Sequence, residues 1–241
     1  MKAFFPSALW SYLPVVGVVF SAAMVKTTQE RPLGVVTTST KKLPQAGKAV
    51  TSGRVVFSLP ATKEDGTSVD LVRATPGWKV IYFWSPSCPC VRSCQTLSLF
   101  DLWQTYHARD VAFYAVASNA GDIATRELND GTRRSFLSLP SGAGQAPPYP
   151  IVLDAGHKVA NTLEATKTPQ TFLVNPQGRI VWMGNPDNSE EIRQVTGKSG
   201  VKTRNYLADA LVAALASKPQ AKPSPVLGCD IDRSDTPHAT P

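Results

Sequence analysis

The stretch Val80–Cys94, VIYFWSPSCPCVRSC, constrains this chain more than any other. It opens as an apolar run of β-branched and aromatic residues, which reads as a buried strand. It breaks at Pro86, presents Cys88, Cys90 and Cys94, and passes into helix-like spacing. Three of the four cysteines of the 241-residue chain lie here. A strand that hands a cysteine to a helix start sets its sulfur beside partial positive charge and unpaired N–H groups, which favour the thiolate. A thiol whose pKa falls from ~8.5 to ~7 goes from about 3% to about half ionised at pH 7.

Around this stretch the pattern alternates strand and helix. Arg54–Leu59 reads as a short strand, Asp65-Gly66 as a turn, and Thr67–Val72 as a second strand or turn. Trp78–Trp84 is the strand before the cysteines. Val91, Leu97, Phe100, Trp103 and Tyr106 then approximate helical spacing up to His107. Asp110–Ser118 reads as a buried strand, 121–139 contains a helix, and 141–150 is a loop. Pro150–Asp154 is a strand, Lys158–Glu164 a helical turn, and Gln170–Val174 a strand. Asn175–Gly178 is a hairpin turn, and Arg179–Met183 the returning strand. A last helix over Thr203–Ser217 carries the apolar stripe Tyr206, Leu207, Ala210, Leu211, Ala214 and Leu215. This order implies an α/β sandwich.

Ala3–Val25 contains no charged residue and is long enough to span a bilayer. Lys2 precedes it, and Ser21 and Ala23 suit signal-peptidase cleavage after Ala23. Residues 1–25 therefore read as a signal peptide or a membrane anchor. Either sends the chain out of the cytoplasm, to the periplasm or its equivalent. Lys26, Arg31, Lys41, Lys42 and Lys48 oppose that orientation, but long domains translocate largely regardless of such charge. Residues 26–52 read as a flexible tether, 53–217 as the domain, and 218–241 as an irregular Pro-rich tail containing Cys229. The net charge of +7 comes without a dense basic block interleaved with aromatics, which sets nucleic acid aside.

Three segments together resemble the thioredoxin-like superfamily, in the redoxin branch of peroxiredoxins and membrane-anchored thiol–disulfide oxidoreductases. Phe83-Trp84, three residues and then Cys88-Pro89 are similar to the active-site strand and loop. Thr168-Pro169-Gln170-Thr171-Phe172 resembles the segment holding that superfamily's cis-proline. Asn175–Ile180 is similar to its β-hairpin. The resemblance covers roughly Arg54–Ser217. It implies a sandwich with a central mixed sheet, the active cysteine at a strand-to-helix junction, and a C-terminal hairpin plus helix. It also implies that Pro169, after Thr168, faces the reactive cysteine, leaves a backbone edge open for a partner chain and keeps metal from the cysteine. The chain departs from the usual C-x-x-C, since Val91 stands three after Cys88. Ser85 matches the Thr or Ser three before a peroxidatic cysteine, but Ile81 stands where that pattern has proline.

Cys88 is the candidate nucleophile, held ionised and accessible, with Pro89 suited to the first helical position because it lacks an N–H. Cys90 and Cys94, if both helical, share a face with Cα atoms about 6 Å apart, inside disulfide range. One of them resolves oxidised Cys88, or the two bond each other as a clip. Arg92 is placed to lower a thiol pKa. Cys229 is a further resolving thiol or half of a structural disulfide. The leading function is exchange of a protein disulfide or dithiol through Cys88. The alternatives are a thiol peroxidase passing through a sulfenic acid, and a Cu(I) carrier with Cys88, Cys90 and Cys94 as soft ligands. Copper carriers of this kind usually add a histidine, and His238 is the one available after residue 160. Nothing indicates an organic cofactor.

Overall fold

The structure, a computed structural model, describes residues 53–86, 88–94, 98–122 and 149–234, with the backbone alone at 92–94. The expected signal or anchor, the tether, most of the helix in 121–139 and most of the loop before Pro150 lie outside the described residues. Among the described residues, no helix is long and apolar enough to cross a membrane.

The elements in order are β1 (Pro60–Lys63), β2 (Ser68–Asp70), β3 (Trp78–Trp84), α1 (Pro89–Cys94), α2 (Phe100–Tyr106), β4 (Val111–Ala117), β5 (Ile151–Leu153), α3 (Lys158–Leu163), β6 (Lys167–Thr168), β7 (Thr171–Val174), β8 (Ile180–Gly184), α4 (Ser189–Thr196), α5 (Tyr206–Leu215) and β9 (Cys229–Asp230). Seven strands form one mixed sheet in the order β2-β1-β5-β4-β3-β7-β8. β3, β4 and β5 run parallel; β1 and β7 lie antiparallel to their neighbours. β6 and β9 make a separate antiparallel pair.

β3 sits inside this sheet, and its pleat explains its composition. Val80, Tyr82 and Trp84 face the cluster built with Leu102 of α2 and Leu207 and Leu211 of α5. Ile81 and Phe83 face the opposite cluster, with Val159 and Leu163 of α3, Phe172 and Ile180. A strand covered on both faces cannot alternate apolar with polar, and this one does not.

Two expectations shift. The strand read at Arg54–Leu59 is reduced to a bridge between Val55 and Arg179, and pairing begins at Pro60. Val56 and Leu59 are buried while Phe57 is 75% exposed, which is not strand alternation. Val56 instead donates its N–H to the Gly178 carbonyl at 2.8 Å, packing against the hairpin turn. Gly178 has φ +78°, and a Cβ there would lie 2.3 Å from the Val56 carbonyl. The tail after Lys218 is irregular at first but contains β9, a strand the composition did not announce.

Candidate active site

Cys88 stands between the end of β3 and Pro89, the first residue of α1. Its backbone N–H reaches the Ser85 carbonyl at 3.3 Å, and Ser85 is fully buried. The Thr168–Pro169 peptide bond is cis, and the Thr168 carbonyl lies 3.8 Å from the Cys88 sulfur. Cys229 arrives from the far end of the chain. The β6–β9 ladder sets it directly opposite Thr168, and its sulfur lies 2.8 Å from that of Cys88. Cys88, Cys90 and Cys229 are free thiols whose sulfurs all lie within 4.8 Å of one another. The side chains of Arg92 and Cys94 are outside the described residues, and α1 places their backbone alone.

The three thiols share protons as a set. The Cys90 thiol, hydrogen-bonding to Cys88, is the largest influence in lowering the Cys88 pKa to about 5. Burial opposes it, while Cys229, Thr168 and the backbone N–H of Val91 add to the lowering. Cys90 is pushed strongly upward by Cys88, by burial and by Glu190. Cys229 is raised to about 11 by burial and by Cys88. One sulfur is therefore ionised at neutral pH and its two neighbours remain protonated.

Glu190, in the first turn of α4, went unnoticed in the sequence. It is 4% exposed and accepts hydrogen bonds from Arg193, at 2.7 Å through Nε, and from Gln194 and Cys90. Burial would raise its pKa, but these donors together lower it, so a carboxylate faces Cys90. The run Asn188-Ser189-Glu190-Glu191 is a helix-start pattern that could have revealed α4.

Accessibility differs from expectation. Cys88 is 3% exposed, with the Thr168 carbonyl and the Cys229 sulfur of β9 against its own sulfur. The edge beside Thr168, expected to stand open for a partner, is occupied by the chain's own Cys229.

The Redoxin family model matches residues 42–198. The chain belongs to the Redoxin family. Among solved structures, this redoxin is similar to an uncharacterized conserved protein from Geobacillus kaustophilus, at 23% identity and TM-score 0.62 over 78% of this chain and 95% of that one. It is also similar to a hypothetical protein from Sinorhizobium meliloti 1021, at 25% identity and TM-score 0.59 over 78% and 97%. A more distant likeness is the thioredoxin domain of a thiol-disulfide oxidoreductase from Bacteroides vulgatus, at 18% identity and TM-score 0.43 over 55% and 87%. No curated protein matches the chain. The fold is thioredoxin-like, with the cysteine at the strand-to-helix junction and the β7–β8 hairpin followed by helices.

Proposed function

We propose that this redoxin is an exported thiol–disulfide oxidoreductase in which Cys88 is the nucleophile and Cys229 the resolving thiol. The observation that carries the reading is the Cys229 thiol standing 2.8 Å from the Cys88 sulfur. The surrounding hydrogen bonds, that of Cys90 first, lower the Cys88 pKa to about 5, while burial and Cys88 hold that of Cys229 up. The Cys88 thiolate attacks one sulfur of a partner disulfide. The partner S–S bond breaks, a mixed disulfide forms, and the released partner sulfur takes a proton from water. Cys88 then no longer carries negative charge, so one of the influences holding up the Cys229 pKa disappears. Cys229 loses its proton more easily, attacks the Cys88 sulfur, and frees the second partner thiol. Cys90 stays under the influence of Glu190 and is the poorer resolver. Its thiol instead steadies the Cys88 thiolate. The uncharged run Ala3–Val25 supports an extracytoplasmic setting.

The test is exchange with a disulfide substrate. Cys88→Ser is expected to abolish it, and Cys229→Ser to accumulate the mixed disulfide. Exchange that survives Cys88→Ser overturns the reading. Rapid peroxide consumption with a sulfenic acid on Cys88 would favour the peroxidase alternative.

The sulfur cluster supports a second reading, a Cu(I) site. Three soft ligands within 4.8 Å of one another are the right donor set for Cu(I), with Cys229 in the place sequence reasoning gave Cys94, although the Cys88 and Cys229 sulfurs, 2.8 Å apart, must separate to share one ion. No histidine is needed in that set. One equivalent of Cu(I) held against a chelator by the full chain, and lost in Cys229→Ser, would support it. Retention unaffected by Cys229→Ser would overturn it.

A further inference from the structure

The segment over the nucleophile has the features of a bound partner. Cys229 pairs with Thr168 and Asp230 with Lys167, and the Ile231 N–H continues the contact to the Thr166 carbonyl at 2.9 Å. Leu227 and Ile231 are each 5% exposed, one on either side of the cysteine. Asp230 meets the Lys167 ammonium at 2.6 Å. Gly228 has φ +130°, and a Cβ on it would lie 2.0 Å from the Thr168 carbonyl oxygen. No side chain fits at the position before the cysteine. With this strand in place Cys88 is 3% exposed, so no folded protein's disulfide reaches its sulfur.

We propose that Leu227–Ile231 is a tethered copy of the partner. The substrate of this site is an extended polypeptide segment that displaces β9 and pairs with Lys167–Thr168. Its disulfide-bonded cysteine follows a glycine and is followed, two residues on, by an apolar side chain. This rests on the oxidoreductase reading and adds its substrate class. It also couples chemistry to release. When Cys229 attacks Cys88, the Cys88–partner bond breaks, the Cys88–Cys229 bond forms, and the two electrons given up by this pair remain on the partner's two thiols. The returning β9 then reoccupies the edge and expels the reduced segment. The sheet-edge pairing supplies affinity, and the side-chain positions around the cysteine supply selectivity.

The probe is a nine-residue peptide copying Ser224–Asp232, its cysteine joined to thionitrobenzoate, beside the same peptide with alanine in place of its glycine. Full-length Cys229→Ser protein isolates attack by Cys88, Cys88→Ser sets the background, and bis(2-hydroxyethyl) disulfide serves as a small substrate that needs no strand pairing. The glycine peptide is expected to release thionitrobenzoate about tenfold faster than the alanine peptide or better, a difference of ~1.4 kcal/mol or more. Adding Gly228→Ala to the protein is expected to speed the glycine peptide further, because the chain's own strand no longer seats against Thr168. Circular dichroism checks that this variant folds; if it does not, the two-peptide comparison decides. Equal rates for the two peptides, with exchange of the small disulfide intact, overturn the proposal alone. Exchange with neither peptide nor the small disulfide overturns the oxidoreductase reading itself.

Discussion

The sulfurs of Cys88 and Cys229 lie 2.8 Å apart although the two residues are 141 positions apart in the chain. The tail reaches this position through specific brackets. The side chain of Asn185 donates to the Leu227 carbonyl at 2.9 Å and accepts from the Leu227 N–H at 3.1 Å, so it holds the tail two residues before the cysteine. Both bonds are buried. Asn185→Ala leaves two backbone groups unpaired and is expected to weaken docking of the tail by about 1–3 kcal/mol. Its readout is the equilibrium between the reduced pair and the Cys88–Cys229 disulfide in glutathione buffers. A shift of roughly tenfold or more toward the reduced form is expected. An unchanged equilibrium would mean that Asn185 does not position Cys229.

The reactivity of Cys88 is expected to depend on Cys90 more than on any other group. In the reduced protein, the rate of Cys88 alkylation is expected to follow an inflection near pH 5. Its absolute rate stays low because the sulfur is 3% exposed. Cys90→Ala removes the largest influence lowering that pKa and moves the inflection upward. Following the modified peptide by mass spectrometry across pH gives both values. An inflection unmoved by Cys90→Ala contradicts the assignment.

The same protons couple to stability. Folded Cys88 titrates at about 5, whereas a thiol in the unfolded chain titrates at ~8.5. Between those values the unfolded chain holds a proton the folded chain has lost. The Cys88 contribution therefore grows as pH rises, is complete above ~8.5, and is lost as pH falls towards the folded value. Cys229 acts in the opposite sense. Its pKa is raised to about 11, so its contribution is present below the free-thiol value and disappears as pH rises through the folded one. Urea midpoints of the reduced protein should climb from pH 5 to 8, and Cys88→Ser should flatten that part of the climb. Parallel curves for the two proteins would contradict the linkage.

Trp182 joins the tail to the core more directly. It is fully buried, and its indole N–H donates to the Lys222 carbonyl at 3.0 Å. Trp182→Phe keeps most of the ring and loses the bond, for an expected cost of about 1 kcal/mol. Trp182→Ala adds a cavity and is expected to cost about 3–5 kcal/mol. Denaturant unfolding of both variants checks the order.

What could be read from the sequence follows from which forces leave a local trace. β3 falls on Trp78–Trp84 as expected, because burial on both faces demands the continuous apolar run Val80–Trp84, with Lys79 the one charged residue the strand buries. The last helix is also legible, although it begins at Tyr206 and not Thr203; Asn205 caps it by accepting from the Ala208 N–H at 2.9 Å. α4 left little apolar signal, since the residues it buries are Ser189 and Glu190. Polar burial depends on partners elsewhere in the fold, here Cys90 and Arg193. β9 is harder still. Two residues have no periodicity, and their conformation is dictated by the edge at Lys167–Thr168. Of the candidate site, Cys88, Cys90 and Thr168-Pro169 could be placed near one another from the resemblance. Cys229 could be named as a resolving thiol on the tail, but not its place in a strand paired to that edge.

The account stands on Cys88 and Cys229 forming the redox pair. The most direct measurement is mass mapping of the disulfides in the full-length protein after equilibration in an oxidising glutathione buffer, with fragmentation between Cys88 and Cys90 to separate the two. The predicted result is a reversible bond between Cys88 and Cys229, with Cys90 reduced. A bond between Cys90 and Cys94 with Cys88 still free, or Cys229 reduced throughout, would contradict it.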